Sequence, residues 1–123
     1  MLKTFSYGPN PSNRGDLYLP PQPGPPVVCL LHGGFWRMPY GKDQMSAIAG
    51  DLCARGFAVW NIEYRRIGEP QVGWSEMSSD VWAALEFLQG FSEREHRLDL
   101  NRASVVGHSA GGQLALACTT QQA

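Results

Sequence analysis

The chain of 123 residues lacks most of what would place it in an unusual class. No apolar run approaches the roughly 20 residues needed to span a bilayer. The opening, Met1-Leu2-Lys3-Thr4-Phe5, has no charged segment followed by an apolar core, so no signal peptide is expected. There is no excess of one charge: 10 Lys and Arg stand against 11 Asp and Glu, a net charge of −1. Without a basic patch or a polybasic stretch, neither a nucleic acid nor a membrane surface is an expected partner. Cysteine is scarce, with three in the chain and no C-x-x-C pair. Cys29 falls in a predicted core strand, Cys53 on the apolar face of a predicted helix and Cys118 in a later helix. They read as small buried apolar residues rather than as zinc ligands or a redox pair. These absences point to a reduced, cytoplasmic, globular protein without a metal or cofactor.

What is present alternates. The first 26 residues are rich in turns and proline, with Asp16-Leu17-Tyr18-Leu19 as a strand between them; flanking prolines suit an edge position. Val27-Val28-Cys29-Leu30-Leu31 is a continuous apolar run, the mark of a strand buried on both faces. Residues 43–55 carry Met45, Ile48, Ala49, Leu52 and Cys53 at the spacing of one helical face, with Asp43 as a candidate cap and Gly56 as the stop. Phe57–Tyr64 reads as the next strand. Residues 76–89 read as a second helix, with Met77, Val81, Ala84, Leu85 and Leu88 inward, Gly90 ending it and Asp80 as a solvent-side or first-turn charge. Arg65 and Arg66 read as surface charge or local ion pairs. Ala103-Ser104-Val105-Val106 is the third core strand. Strand and helix in alternation predict a mostly parallel sheet with helices on both faces.

The chemistry gathers at Gly107-His108-Ser109-Ala110-Gly111, between that last strand and the helical run Gln113–Cys118. A serine on so tight a strand-to-helix turn exposes its hydroxyl, and the flanking glycines allow the backbone to close. With 14 glycines in the chain, a G-x-S-x-G match arises by chance on the order of 0.1 times. Context strengthens it. His32-Gly33-Gly34-Phe35-Trp36 leaves the first core strand, where a glycine loop can bring backbone amides to a developing negative oxygen. The large side chains of residues 32–42, among them Phe35, Trp36, Met38 and Tyr40, either cover the core edge or wall an acyl or aromatic pocket.

Together these motifs resemble the α/β-hydrolase superfamily, and within it the esterase and lipase group with an H-G-G-x-W loop, which includes kynurenine formamidase-like enzymes and related carboxylesterases. Glu63-Tyr64-Arg65, the helix containing Asp80–Leu85, and Gly112 extend the match, and Tyr7-Gly8-Pro9 with Asp16–Pro20 is similar to the opening of such proteins. The resemblance implies a hydrolase of carboxylic esters or of an aryl formamide. Ser109 would be its nucleophile, with Gly34, Phe35 and Ala110 as oxyanion donors. His32, Gly33, Trp36, Gly107, His108 and Gly111 would support the loops. Phe35, standing where a longer H-G-G-G pattern has its third glycine, favours the formamidase-like branch over the hormone-sensitive-lipase-like one.

In that superfamily an acid and then a histidine follow the serine. Here no His, Asp or Glu follows Ser109. His32 and His108 belong to the motifs, and His96 lies in a charged connection. The expectation is therefore that residues 1–123 are the N-terminal portion of a single α/β-hydrolase domain, truncated after the elbow that Gly107–Gly111 forms around the serine, with edge strands and a proline-rich lead-in over residues 1–26, and inactive alone. A non-catalytic binding protein of the same fold and a non-functional fragment are the alternatives.

Overall fold

Residues 2–33, 41–66, 68–94, 98–108 and 111–112 are described in the computed structural model. Among the described residues five strands are formed: β1 (Leu2–Ser6), β2 (Arg14–Tyr18), β3 (Pro26–Leu31), β4 (Ala58–Ile62) and β5 (Asp99–Gly107). Between them lie a 3₁₀ turn, Lys42–Met45, leading into α1 (Ser46–Ala54), and the long helix α2 (Trp74–Arg94). The strands form one sheet in the order β1-β2-β4-β3-β5. β3 lies between β4 and β5 and runs parallel to both, while β2 pairs antiparallel with β1 and β4.

The reading of Val27–Leu31 as a strand covered on both sides holds side chain by side chain. Val27, Cys29 and Leu31 belong to one core layer with Trp60, Ile62 and the α2 residues Met77, Val81, Ala84, Leu88 and Phe91. Val28 and Leu30 belong to another, with Val59 and the helical residues Met45 and Ala49. The alternation of a pleated strand sends successive side chains into opposite layers, so an unbroken apolar run is what such a strand requires. Trp60, fully buried, anchors the first layer: its indole N–H donates to the Ala84 carbonyl at 3.0 Å. A Cβ on Gly15 of β2 would overlap the Trp60 ring.

Six sequence expectations are corrected. β2 is interior, not an edge; its five residues contain no proline and pair on both sides, and β1 takes the edge. Asp43 does not cap a helix, because the segment begins as a 3₁₀ turn with no side-chain cap bond. Ile48 is 49% exposed and Cys53 half-buried, so the inward face of α1 is narrower than the spacing suggested. Gly90 does not stop α2, which runs on to Arg94 and buries Phe91. Asp80 is not a solvent-side charge; it is 4% exposed and paired. Gly56 does end α1, at φ +98°. β5 begins earlier than expected, at Asp99, with a register irregularity between Pro26 and Val27 opposite it.

Candidate active site

β3 and β5 are neighbours, and each of the two motifs leaves the C-terminal end of one of them. Leu31 stands opposite Gly107 in the ladder. Beyond it, the His108 backbone N–H donates to the Leu31 carbonyl at 3.0 Å, and the Gly111 N–H closes the turn onto the His108 carbonyl at 2.9 Å. A Cβ on Gly107 would overlap the backbone of Gly111 and Gly112. One on Gly111 would overlap the carbonyl oxygens of Leu31 and His32. Backbone atoms cannot retreat as a flexible side chain can, so both positions demand glycine by close approach. The structure therefore brings His32 and Gly33 together with Gly107, His108 and Gly111. Ser109, Ala110, Gly34, Phe35 and Trp36 lie outside the described residues, as do His96 and Cys118.

His32 has no exposed surface. Its Nδ1 is 2.8 Å from the Gly33 carbonyl oxygen, and its Nε2 is 2.5 Å from Glu63 Oε1. Its ring stacks on Tyr64 with centroids 4.3 Å apart, and the Tyr64 hydroxyl donates to the His32 carbonyl at 2.8 Å. The Gly33 N–H donates to Gln44 Oε1 at 3.1 Å. Both sides of the first peptide after β3 are thus held by side chains from other elements. With both ring nitrogens engaged, His32 is not placed to take a proton from a serine. His108 has an exposed side chain.

Glu63, at the exit of β4, is the hub beneath this loop. Oε1 accepts from the Tyr64 N–H at 3.2 Å, Oε2 accepts from the Lys42 N–H at 3.1 Å, and the Arg66 guanidinium lies 3.6 Å from Oε2. Burial alone would raise the Glu63 pKa. The hydrogen bond and charge of His32, with Arg66 and the Lys42 amide, outweigh burial and hold it below the ordinary carboxylate range. Tyr64 is pushed up by burial and by the Glu63 charge, so its phenol stays a donor. Tyr7 is also raised, by burial and then by Asp80, and its hydroxyl donates to the Glu63 carbonyl at 2.5 Å.

The two arginines after Glu63 form local ion pairs. Arg65 binds Asp80 through Nε and Nη2 at 2.9 and 3.0 Å, and its backbone N–H donates to the same carboxylate at 2.9 Å. Arg66 pairs with Glu69. An open polar cleft of about 510 Å³ lies beside Glu63, walled by Ser12, Arg14, Lys42, Arg66 and Glu69; neither His32 nor any elbow glycine lines it. Among the described residues no three His, Cys, Asp or Glu side chains converge to hold a metal ion, and no helix is long and apolar enough to cross a membrane.

The sequence pattern marks Glu63-Tyr64-Arg65 without assigning Glu63 a task, and it leaves Gln44 unmarked. A signal was available. A carboxylate closing a fully buried strand must find a donor or a cation, and His32, at the exit of another core strand, was a candidate.

The match to a protein-family model decides the affiliation: the model named BD-FAE covers residues 16–123. The chain belongs to the BD-FAE family. This BD-FAE chain is 34% identical to a protein of Oryza sativa subsp. japonica named probable isoprenylcysteine alpha-carbonyl methylesterase, over all of the chain and 29% of that protein. It is 30% identical to a kynurenine formamidase of Debaryomyces hansenii, over 90% of the chain and 37% of the enzyme. Esterase B from Lactobacillus rhamnosis, solved with a tributyrin phosphonate inhibitor, superposes with a TM-score of 0.85 at 30% identity, over all of the chain and 41% of the esterase. The BD-FAE chain thus has the α/β-hydrolase fold of esterases and spans well under half the length of these relatives.

Proposed function

We propose that this chain carries the nucleophile and the oxyanion-binding loops of a serine hydrolase, in the front part of a single α/β-hydrolase domain. Its partner is a small-molecule carboxylic ester or aryl formamide. Ser109 Oγ attacks the acyl carbon as its proton passes to a histidine base. The amide hydrogens of Ala110 and of Gly34 or Phe35 stabilise the negative oxygen of the tetrahedral intermediate. Collapse expels the alcohol or amine with that proton and leaves an acyl-serine, which water then hydrolyses. His32, Gly33, Trp36, Gly107, His108 and Gly111 hold the loops in place. On this reading the base and its acid come from outside these 123 residues, which alone would retain only the residual catalysis of binding and the oxyanion hole.

The observation that carries the reading is the joining of the two motifs at Leu31 and His32. The Gly33 loop and the turn around Ser109 leave paired strands and share backbone contacts at that point. The relatives named for ester and formamide hydrolysis support both substrate classes.

A fluorophosphonate probe, applied to the full-length protein that supplies the base and its acid, tests the nucleophile. Covalent labelling at Ser109, abolished by Ser109→Ala with the melting curve unchanged, is expected. A folded protein that resists the probe would sink the proposal. Turnover of short-chain aryl esters against an aryl formamide then separates the substrate classes.

A further inference from the structure

We propose that His32 is a positioning residue that works as an imidazolium, clamping the Gly33 carbonyl through Nδ1 and the Glu63 carboxylate through Nε2. Only its catalytic consequence rests on the hydrolase reading; the clamp itself does not. The argument is a count of protons. A carbonyl oxygen and a carboxylate oxygen can only accept, and they face the two ring nitrogens at 2.8 and 2.5 Å. A neutral imidazole has one N–H, so one of these contacts would set lone pair against lone pair. The remaining arrangement would move a proton to Glu63, and the surroundings oppose it. Both Glu63 oxygens already accept backbone N–H bonds, from Tyr64 and Lys42, and Arg66 lies beside Oε2. These donors favour a carboxylate, in keeping with its lowered pKa.

Among the described residues, the charged and titratable groups around the pair are few. From the β4 exit come Glu63, Tyr64 and Arg66, with Arg65 neutralised by Asp80 of α2. From the 3₁₀ turn comes Lys42, whose amine pairs with Asp16 of β2. Tyr7 reaches the Glu63 carbonyl, and His108, at the β5 exit, meets β3 through its backbone. Glu63 is the acid in contact with the ring among the described residues.

The clamp matters because a trans peptide is planar, so fixing a carbonyl fixes the direction of the N–H that follows it. The clamped carbonyl is that of Gly33, and the next amide belongs to a proposed oxyanion donor. Loss of one ring proton would release either the carbonyl or the carboxylate.

The test is NMR of protein labelled with ¹⁵N-histidine, with the ring assigned by through-bond correlation to the His32 backbone. At pH 7 both ring nitrogens are expected in the protonated position. In Glu63→Gln the ring loses its counter-charge and should show one bare nitrogen, with kcat lowered on the order of tenfold to a hundredfold and KM changed less. A bare nitrogen on wild-type His32 at pH 7 would overturn the clamp whatever the activity. So would a Glu63→Gln protein that keeps both ring protons and full kcat. If that variant fails to fold, the wild-type spectrum still decides. Because the spectrum needs no turnover, failure of the clamp and failure of the hydrolase reading are told apart.

Discussion

Gly107 and Gly111 face each other across the turn at the end of β5, so close that a methyl group on Gly107 would overlap the Gly111 carbonyl. Gly111 in turn leaves no room for a Cβ against the carbonyls of Leu31 and His32. Alanine at either site should cost about 3 kcal/mol or more, at the upper end of what overpacking produces, because the atoms met are backbone. Gly112→Ala, whose nearest contact is 3.4 Å, should cost less than about 1 kcal/mol. Denaturant midpoints of the three variants check this, and equal losses would contradict the close-approach argument.

Among the described residues, Asp80 and Arg65 form the carboxylate–guanidinium pair least exposed on the acid side, with 5% and 24% of their side chains accessible. Removing one partner strands the other, and breaking a buried pair costs about 3–5 kcal/mol. Since Arg65 keeps some water, Asp80→Ala should fall near the lower end, about 3 kcal/mol. The double variant Asp80→Ala/Arg65→Ala should be less destabilised than the sum of the singles. Additive losses in a double-mutant cycle would show the pair to be uncoupled.

Glu63 predicts an acid limb. Its folded pKa lies below the unfolded value of about 4.5, so it contributes stability above pH 4.5. That contribution is lost as pH falls from there through the folded value. Glu63→Gln should flatten this limb in urea titrations between pH 6 and 3. An unchanged slope would remove Glu63 from the account of acid unfolding.

Trp60→Phe deletes the indole N–H that adds a second hydrogen bond to the Ala84 carbonyl inside α2 and leaves space beside Gly15. The loss should be about 2 kcal/mol, from one buried hydrogen bond and a small cavity. Gly15→Ala combined with Trp60→Phe should recover part of it, because the extra methyl enters the vacated volume. Chemical denaturation of the single and double variants measures the recovery.

The apolar run of β3 was legible because a strand buried on both faces leaves no room for polar residues. The two loop motifs were legible because glycine spacing encodes backbone approach. β1 was not. Leu2–Ser6 is short and largely exposed, and what holds it is distant: pairing with β2, and Phe5 against Phe87 and Phe91. Gly90 misled because helix propensity is a local cost of about 1 kcal/mol, outweighed here by burial of Phe91 one residue on. Asp80 misled for the same kind of reason, since its partner lies 15 residues earlier and helix position alone cannot show it. Of the candidate site, the sequence revealed which loops meet. It did not reveal the Glu63–His32–Gly33 chain beneath them, because hydrogen bonds between strand exits depend on strand order, and strand order depends on the whole sheet.

Leu31 gives the two motifs a common mounting point. The elbow hangs from its carbonyl, and the glycine loop departs one residue later. Any displacement of β3 carries both together, leaving the spacing between them intact. On the proposed hydrolase reading, side chains that contact substrate could then be exchanged without resetting that spacing. A scaffold of this kind would let specificity change separately from reactivity.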